Sequence, residues 1–307
     1  MNVNPAPRIC VVGSANMDLI ARVPRLPHVG ETLQGRSFHL VYGGKGANQA
    51  VMAARMGGAV TMVACVGKDV FGEGMLRNFQ QYGIDTAHVR VDENRTSGVA
   101  PIFVDDQAQN VIVIVAGANG ALSPSDVRAA RAAILASSAV VCQLEVPLET
   151  TLEAFRIARS GGARTILNPA PAQTLPAELL ALTDICAPNE SETELLTGMP
   201  VNSMEEAQAA GQRLLQAGLS TVIITLGERG VLVLDGAAAW HVPAMKVAAV
   251  DPTGAGDAFI GALAVCLGEG MSLEQAVRRA NIAAALSVTR LGAQVSFPTR
   301  AEVDTYA

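Results

Sequence analysis

Cysteine is scarce in this 307-residue chain and poorly placed for cross-linking. The five cysteines, Cys10, Cys65, Cys142, Cys186 and Cys266, are odd in number and irregularly spaced, and most lie in apolar runs. A disulfide framework and a Cys-x-x-Cys metal site are therefore unsupported. Buried thiols in a reducing compartment fit the pattern better. Histidine is scarcer still: none of the four sits in a metal or triad spacing, and no Gly-x-Ser-x-Gly elbow occurs. Hydrolase and zinc readings are poor on that ground. Basic charge is also short, with 22 Lys and Arg against 28 Asp and Glu and a net charge of −6. Nothing favours a nucleic-acid partner, although a locally positive site for an anionic substrate stays open. No apolar run reaches the ~18 residues needed to span a bilayer. Met1 to Arg8 shows no basic start followed by an apolar core, so it does not read as a signal peptide. The expectation is a soluble cytoplasmic protein with no membrane or nucleic-acid partner.

Apolar residues are plentiful: half of the chain is hydrophobic and 16% is charged. A chain of this length and composition buries a large core. Short runs rich in Val and Ile recur without alternation at Ile9–Val12, Val60–Val66, Ala139–Leu144, Thr165–Leu167, Ile185–Ala187 and Thr221–Leu226. Such runs suit strands buried on both faces of a parallel sheet. Segments with helical spacing lie between and beyond them: Ala47–Met56, Gly72–Tyr82, Pro124–Leu135, Leu148–Arg159, Ser203–Ala217, Gly256–Leu267 and Leu273–Val288. The alternation predicts an α/β fold, a central, mostly parallel sheet with helices on both faces. Two regions break the rhythm. Ala21–Tyr42 carries Pro and Gly breaks before an extended run, and Ala100–Val104 with Val111–Val115 flank Asp105–Asn110 like a hairpin. They predict a small β-sheet lid, formed by about 14–43 and 97–116 and inserted in a single domain over 1–307. Its exposed face would be apolar, which suits pairing with a second copy.

Five motifs carry the chemistry. Gly43-Gly44-Lys45-Gly46-Ala47-Asn48-Gln49-Ala50 ends an extended segment and opens a helix. A helix start offers free N–H groups and partial positive charge, and Lys45 and Asn48 add donors; a tight strand-to-helix turn is the plainer explanation. Asp251-Pro252-Thr253-Gly254-Ala255-Gly256-Asp257 repeats that design. N–H groups from Gly254 to Asp257 could hold a phosphate, and Asp257 could accept a proton from an alcohol, where helix capping is the ordinary role of such an Asp. Asn16 and Asp18 follow the first buried strand, with atoms for sugar hydroxyls or for an Asx-type turn. Asn189 and Glu192 follow another, and could steer Mg²⁺ through bound water or simply complement a helix N-terminus. Thr225-Leu226-Gly227-Glu228-Arg229-Gly230 could hold a nucleotide or join two strands. Glu145 is a further acid at a strand's carboxyl end.

Taken together and in this order, these motifs resemble those of the ribokinase family of sugar kinases, from Val11 to about Pro298. The resemblance implies ATP-dependent phosphorylation of ribose at its 5-hydroxyl. Deoxyribose, another pentose or a nucleoside is the alternative substrate, and a non-catalytic sugar-binding regulator the alternative class. It implies that Asp257 is the base, with the Ala255 and Gly256 amides as the anion hole beside Gly254. Asn16, Asp18, Gly44, Lys45, Asn48 and Glu145 would hold the sugar. Asn189, Glu192, Thr225, Gly227, Gly230, Gly256 and Asn281 would lie around ATP and Mg²⁺. A monovalent cation, usually K⁺, would take ligands from Asp251, Thr253, Ser287, Arg290, Gly292 and Ser296, several through backbone carbonyls. The family's lid sheets pair into a homodimer.

Overall fold

The computed structural model describes residues 5–107, 109–236 and 238–307. The start of Met1–Arg8 and Ala108 of the expected hairpin turn lie outside them. In chain order the first half comprises β1 (Arg8–Val12), β2 (Asn16–Arg22), β3 (Ser37–Gly43), α1 (Lys45–Arg55), β4 (Ala59–Gly67), α2 (Val70–Gln81), β5 (Asp85–Asp92), β6 (Gly98–Val104), β7 (Asn110–Ile112), α3 (Pro124–Ala129) and α4 (Arg131–Leu135). The second half comprises β8 (Ala139–Cys142), α5 (Leu148–Ser160), β9 (Arg164–Leu167), α6 (Ala177–Leu182), β10 (Ile185–Cys186), α7 (Glu190–Thr197), α8 (Met204–Gln216), β11 (Thr221–Thr225), β12 (Val231–Asp235), β13 (Ala238–Val242), α9 (Ala255–Gly268), α10 (Leu273–Ser287) and α11 (Arg300–Asp304).

Strand β1 shows why the unalternating runs are strands. Successive side chains point to opposite faces, and both faces are covered. Ile9 and Val11 join a core built with α1, α2, α9 and α10. Cys10 and Val12 join a second core built with α3 to α6 and α8. The large sheet has the order β13-β12-β11-β10-β9-β8-β1-β4-β5. From β11 to β5 every pairing is parallel, while β12 runs antiparallel to β11 and β13. The parallel strands therefore end on one side, where the motif loops collect. All five cysteines are buried and unpaired. Among the described residues no helix is long and apolar enough to cross a membrane.

The two irregular regions form a second sheet, β3-β2-β6-β7. Gly98–Val104 and Asn110–Ile112 are the expected antiparallel hairpin, and β2 joins it in parallel through β6. One face carries exposed Phe38, Leu40 and Val111. Some elements differ from the sequence reading. Asn16 and Asp18 lie in a strand paired with β3, not in an Asx-type turn. Pro124–Leu135 breaks at Ala130 into two short helices. Strands β5 and β13 were not expected: they lie at the two edges of the sheet, and half-covered strands there mix polar with apolar residues. Strand β12 is the buried partner that the strand-joining reading of Thr225–Gly230 allows.

Candidate active site

The start of α1 is pressed against the β1–β2 turn. Its N-cap, Gly44, has φ +87°, and a Cβ there would stand 2.7 Å from the Asn16 N and 3.0 Å from the Ala15 Cα. Only glycine takes that backbone without strain. The first N–H of the helix, from Lys45, donates to Glu145 Oε2 at 3.0 Å. The Ser14 hydroxyl donates to the same oxygen at 2.5 Å. Glu145, arriving from the end of β8, thus serves as an anionic partner of the α1 N-terminus. Asp18 comes from β2 on the other side and lies against Gly43. Burial first, then the charges of Glu145 and Asp257, push its carboxyl up to about 7. Asn16 is turned by Asn119, whose Nδ2 donates to Asn16 Oδ1 at 2.7 Å and whose Oδ1 accepts from the Ala15 N–H at 2.9 Å.

The second glycine-rich start lies opposite. Gly254 caps α9 at φ +79°, and Asp257 sits buried in the first turn. Asp257 Oδ2 accepts from Asn48 Nδ2 and Oδ1 from Gln49 Nε2, both at 2.9 Å. Burial raises its proton affinity above the usual aspartate range, against the lowering pull of Lys45 and these amides. Burial works against the Lys45 charge as well, but Asp257, Glu145 and Glu192 outweigh it and hold Lys45 above the usual lysine range. The Ala255 N–H donates to Pro252 O at 3.2 Å. The N–H groups of Gly256 and Asp257 donate to no acceptor among the described residues, leaving two free donors in the turn.

Lys45, Gly254, Ala255, Gly256 and Asp257 line one cavity of about 150 Å³ together with Asn168, Asn189, Glu192 and Thr225. Asn189 and Glu192 form a capping box on α7: Asn189 Oδ1 accepts from the Glu192 N–H and Glu192 Oε2 from the Asn189 N–H, each at 2.8 Å. The capping box bears out the helix-terminus reading of this pair, and both residues also line the cavity. Asn189 and Thr225 are neighbours through a parallel bridge. Gly227 and Gly230 lie in the short turn between β11 and β12, away from the cavity wall, and Asn281 spends its Nδ2 on Pro243 O at 2.8 Å. A larger cleft of about 710 Å³ among Arg159, Arg164, Asp184 and Asp235 opens at the opposite ends of β9 to β11 and holds none of the motif residues.

The six residues expected around a monovalent cation fall on two linked segments. Asp251 accepts from the Thr253 N–H at 2.9 Å and the Gly292 N–H at 2.8 Å. Burial opposes its charge, yet these bonds hold its carboxyl below the ordinary range. The Ser287 and Ser296 hydroxyls donate to carbonyls and keep oxygen lone pairs free. The Arg290 guanidinium pairs with Glu302, which leaves the site only its backbone carbonyl. Among the described residues no group of three or more His, Cys, Asp or Glu is placed to hold a metal ion.

Sequence reasoning passed over Gln49, Asn119, Gln143, Asn168 and Gln294. Asn168 follows the buried strand β9, so the strand-end rule could have raised it. Gln49 stands inside the first glycine motif. No signal marked the others.

A mostly parallel sheet thus brings two glycine-opened helix starts, an acid and a lysine to one cavity, an arrangement suited to phosphoryl transfer. The match to the pfkB family carbohydrate kinases covers residues 6–300, and the chain belongs to that family. It is 44% identical over 294 residues to the ribokinase of Haemophilus influenzae, covering 96% of each chain. It is 42% identical over 299 residues to the deoxyribokinase of Salmonella typhimurium, covering 97% of this chain and 98% of that one. Among solved structures it is similar to Arabidopsis thaliana ribokinase complexed with ribose and ATP, with TM-score 0.91, 33% identity and 98% of each chain covered. Thermotoga maritima ribokinase superposes with TM-score 0.88 at 38% identity, covering 98% of this chain and 99% of that one.

Proposed function

We propose that the protein transfers the γ-phosphate of ATP to the 5-hydroxyl of D-ribose, with Asp257 as general base. The observation that carries this reading is the pairing of a buried, hydrogen-bonded Asp257 with Lys45 and two free N–H donors on one cavity. Phosphoryl transfer needs positioning and charge stabilisation more than covalent help from the protein. Asp257 takes the hydroxyl proton as the oxygen attacks. Donors of the Gly254-Ala255-Gly256 turn face the charge that grows on the transferred group, with the Gly256 and Asp257 N–H groups the freer ones. Asn16, Asp18, Gly44, Lys45, Asn48 and Glu145 orient the sugar. Asn189, Thr225, Gly227, Gly230 and Asn281 border the nucleotide.

A hydrated Mg²⁺ fits the donor set. One carboxylate and one amide, Glu192 and Asn189, would hold it through water, since this ion keeps much of its hydration and takes few protein oxygens. When bound it neutralises phosphate charge. The residues expected on the Asp251–Thr253 and Ser287–Ser296 segments offer carboxylate, hydroxyl and backbone carbonyl oxygens, which would suit K⁺. The small sheet acts as the lid of a single domain, and its apolar face supports a homodimer.

An ATP-consumption assay over a panel of pentoses and nucleosides, with and without K⁺, tests the reading. D-Ribose should rank first by kcat/KM. Deoxyribose ranking first would transfer the assignment to a deoxyribokinase, which the 42% identity to such an enzyme supports. Asp257→Asn should lower kcat by about 10²- to 10⁴-fold, and near-normal turnover would remove Asp257 as the base.

A further inference from the structure

A carboxylate can only accept hydrogen bonds, so Asp257 dictates which way its neighbours face. Asn48 and Gln49 must turn their NH₂ groups to it, and their carbonyls must then face outward. Asn48 Oδ1 accepts from Gln294 Nε2 at 3.0 Å, and Gln294 Oε1 accepts from Asn78 Nδ2 at 2.8 Å. On the other side Gln49 Oε1 accepts from Gln143 Nε2 at 2.5 Å, while Gln49 Nε2 also reaches Asn168 Oδ1 at 3.1 Å. Two arms of amides result, each with its donor end toward Asp257. Every member is buried, Gln49 and Gln143 at 0% exposure and Gln294 at 2%. The arm through Gln143 ends in an Oε1 atom that has no hydrogen-bond partner among the described residues. That oxygen lies where a side chain on residue 13 would stand, and residue 13 is glycine. A buried, unpaired carbonyl oxygen costs stability, so folding alone does not account for this orientation.

We propose that Gln49, Gln143, Gln294 and Asn78 are positioning residues of the transfer reaction: they lock Asp257 in one rotation and keep it ionised while leaving lone pairs on both oxygens for the sugar hydroxyl. The inference rests on Asp257 being the base. Lys45 adds to the effect, whereas Glu145 faces the same carboxyl and opposes it, and Asp257 in turn bears on Asp18 and Glu192. Burial favours the neutral acid most strongly, and the amide arms pull against it toward the charged form. Aligned amide chains polarise one another, so the outer members act through the inner ones.

The test replaces one outer member of each arm, Gln294→Met and Gln143→Met. Gln294 neighbours Gly292 and Ser296, but Gln143 comes from the end of β8, so a shared phenotype separates the amide effect from any cation effect. Each variant should lose about tenfold in kcat, the order of one charge-assisted hydrogen bond. KM for ATP should stay within about threefold, and the acid limb of the kcat–pH profile should move to higher pH. Folded variants with wild-type kcat and an unmoved acid limb would overturn the proposal, even if both melt earlier. Where neither variant folds, the wild-type protein decides: slow solvent exchange of the Gln49 and Gln294 side-chain amide protons is expected, and rapid exchange refutes the locked arms. An active Asp257→Asn variant would instead overturn the underlying base assignment.

Discussion

Gly256 is a glycine with no folding reason to be one. It occupies the first turn of α9, its φ is not positive, and a Cβ added there meets nothing within 4 Å. Alanine is preferred over glycine inside a helix by roughly 0.5–1 kcal/mol. Gly256→Ala should therefore raise the melting temperature, by roughly 1–4 °C for a chain of this size. The added methyl group, however, enters the cavity of about 150 Å³ that Gly256 lines with Asp257 and Lys45. If the γ-phosphate approaches this turn, the methyl displaces it, and about 1 Å of misplacement costs up to 10²-fold in rate. Scanning calorimetry and a coupled ADP-release assay read the two effects separately. The expected outcome is a more stable, much slower enzyme. Gly254→Ala is the contrast: at φ +79°, with a Cβ 3.0 Å from the Ala293 Cβ and 3.1 Å from the Phe297 Cε1, it should lose about 1–2 kcal/mol of stability. A Gly256→Ala variant with wild-type kcat and KM for ATP would refute the placement of phosphate against this turn.

Asp18→Asn tests the charge crowding between the two helix starts. Because the folded carboxyl titrates at about 7 against an ordinary 3.8, the folded state binds the proton more tightly, so stability is fully present at low pH and falls as pH rises from about 4 to 7. Asn should remove that slope and gain up to about 4 kcal/mol above pH 7, read by urea unfolding at pH 5 and 8; parallel slopes in both proteins would contradict it. Phe38→Ser with Leu40→Ser, both in exposed strand β3 positions, should shift a dimer toward monomer in sedimentation velocity while leaving the melting temperature within a few degrees; an unchanged sedimentation coefficient would exclude pairing through this sheet.

What the sequence disclosed depended on how strongly burial constrained each segment. Runs such as Ile9–Val12 and Thr221–Leu226 are covered on both faces, so their composition alone marks them as strands. Strand β5 pairs with one neighbour, alternates polar and apolar residues, and was silent. Strand β2 was not recognised as such because Asn16 and Asp18 also look like turn residues, and only pairing with β3 and β6 makes them a strand. In the site, the glycines were legible because their spacing before a helix is local. Gln143 and Gln294 were not, since they meet Gln49 and Asn48 across 94 and 246 residues. Glu145 was flagged as an acid at a strand end, but its bond to the Lys45 N–H, 100 residues away, belongs to the fold.

The convergence of Asn48, Gln49 and Asp257 depends on how closely α1 approaches α9, and Gly261 sets that approach. It lies one turn beyond Asp257, in a helix interior where alanine would ordinarily be better. Yet a Cβ there would come 2.7 Å from the Gln49 carbonyl oxygen, 2.7 Å from the Met52 Cβ and 2.9 Å from the Ala53 N. Two of these atoms are backbone, so the contact is relieved only by moving α1 away. Because the Gln49 carbonyl is among them, that movement pulls on the residue whose side chain holds Asp257 Oδ1. Overpacking of this kind costs about 1–3 kcal/mol. Gly261→Ala should thus be destabilised where Gly256→Ala is stabilised, two glycine-to-alanine changes on one helix with opposite signs. Its kcat should fall with KM for ATP little changed, since the cavity wall at Gly254 to Gly256 is untouched while the carboxylate loses its orientation. A folded Gly261→Ala enzyme with full kcat would mean that Asp257 keeps its working geometry without close α1–α9 packing, and the positioning argument for the amide arms would fail with it.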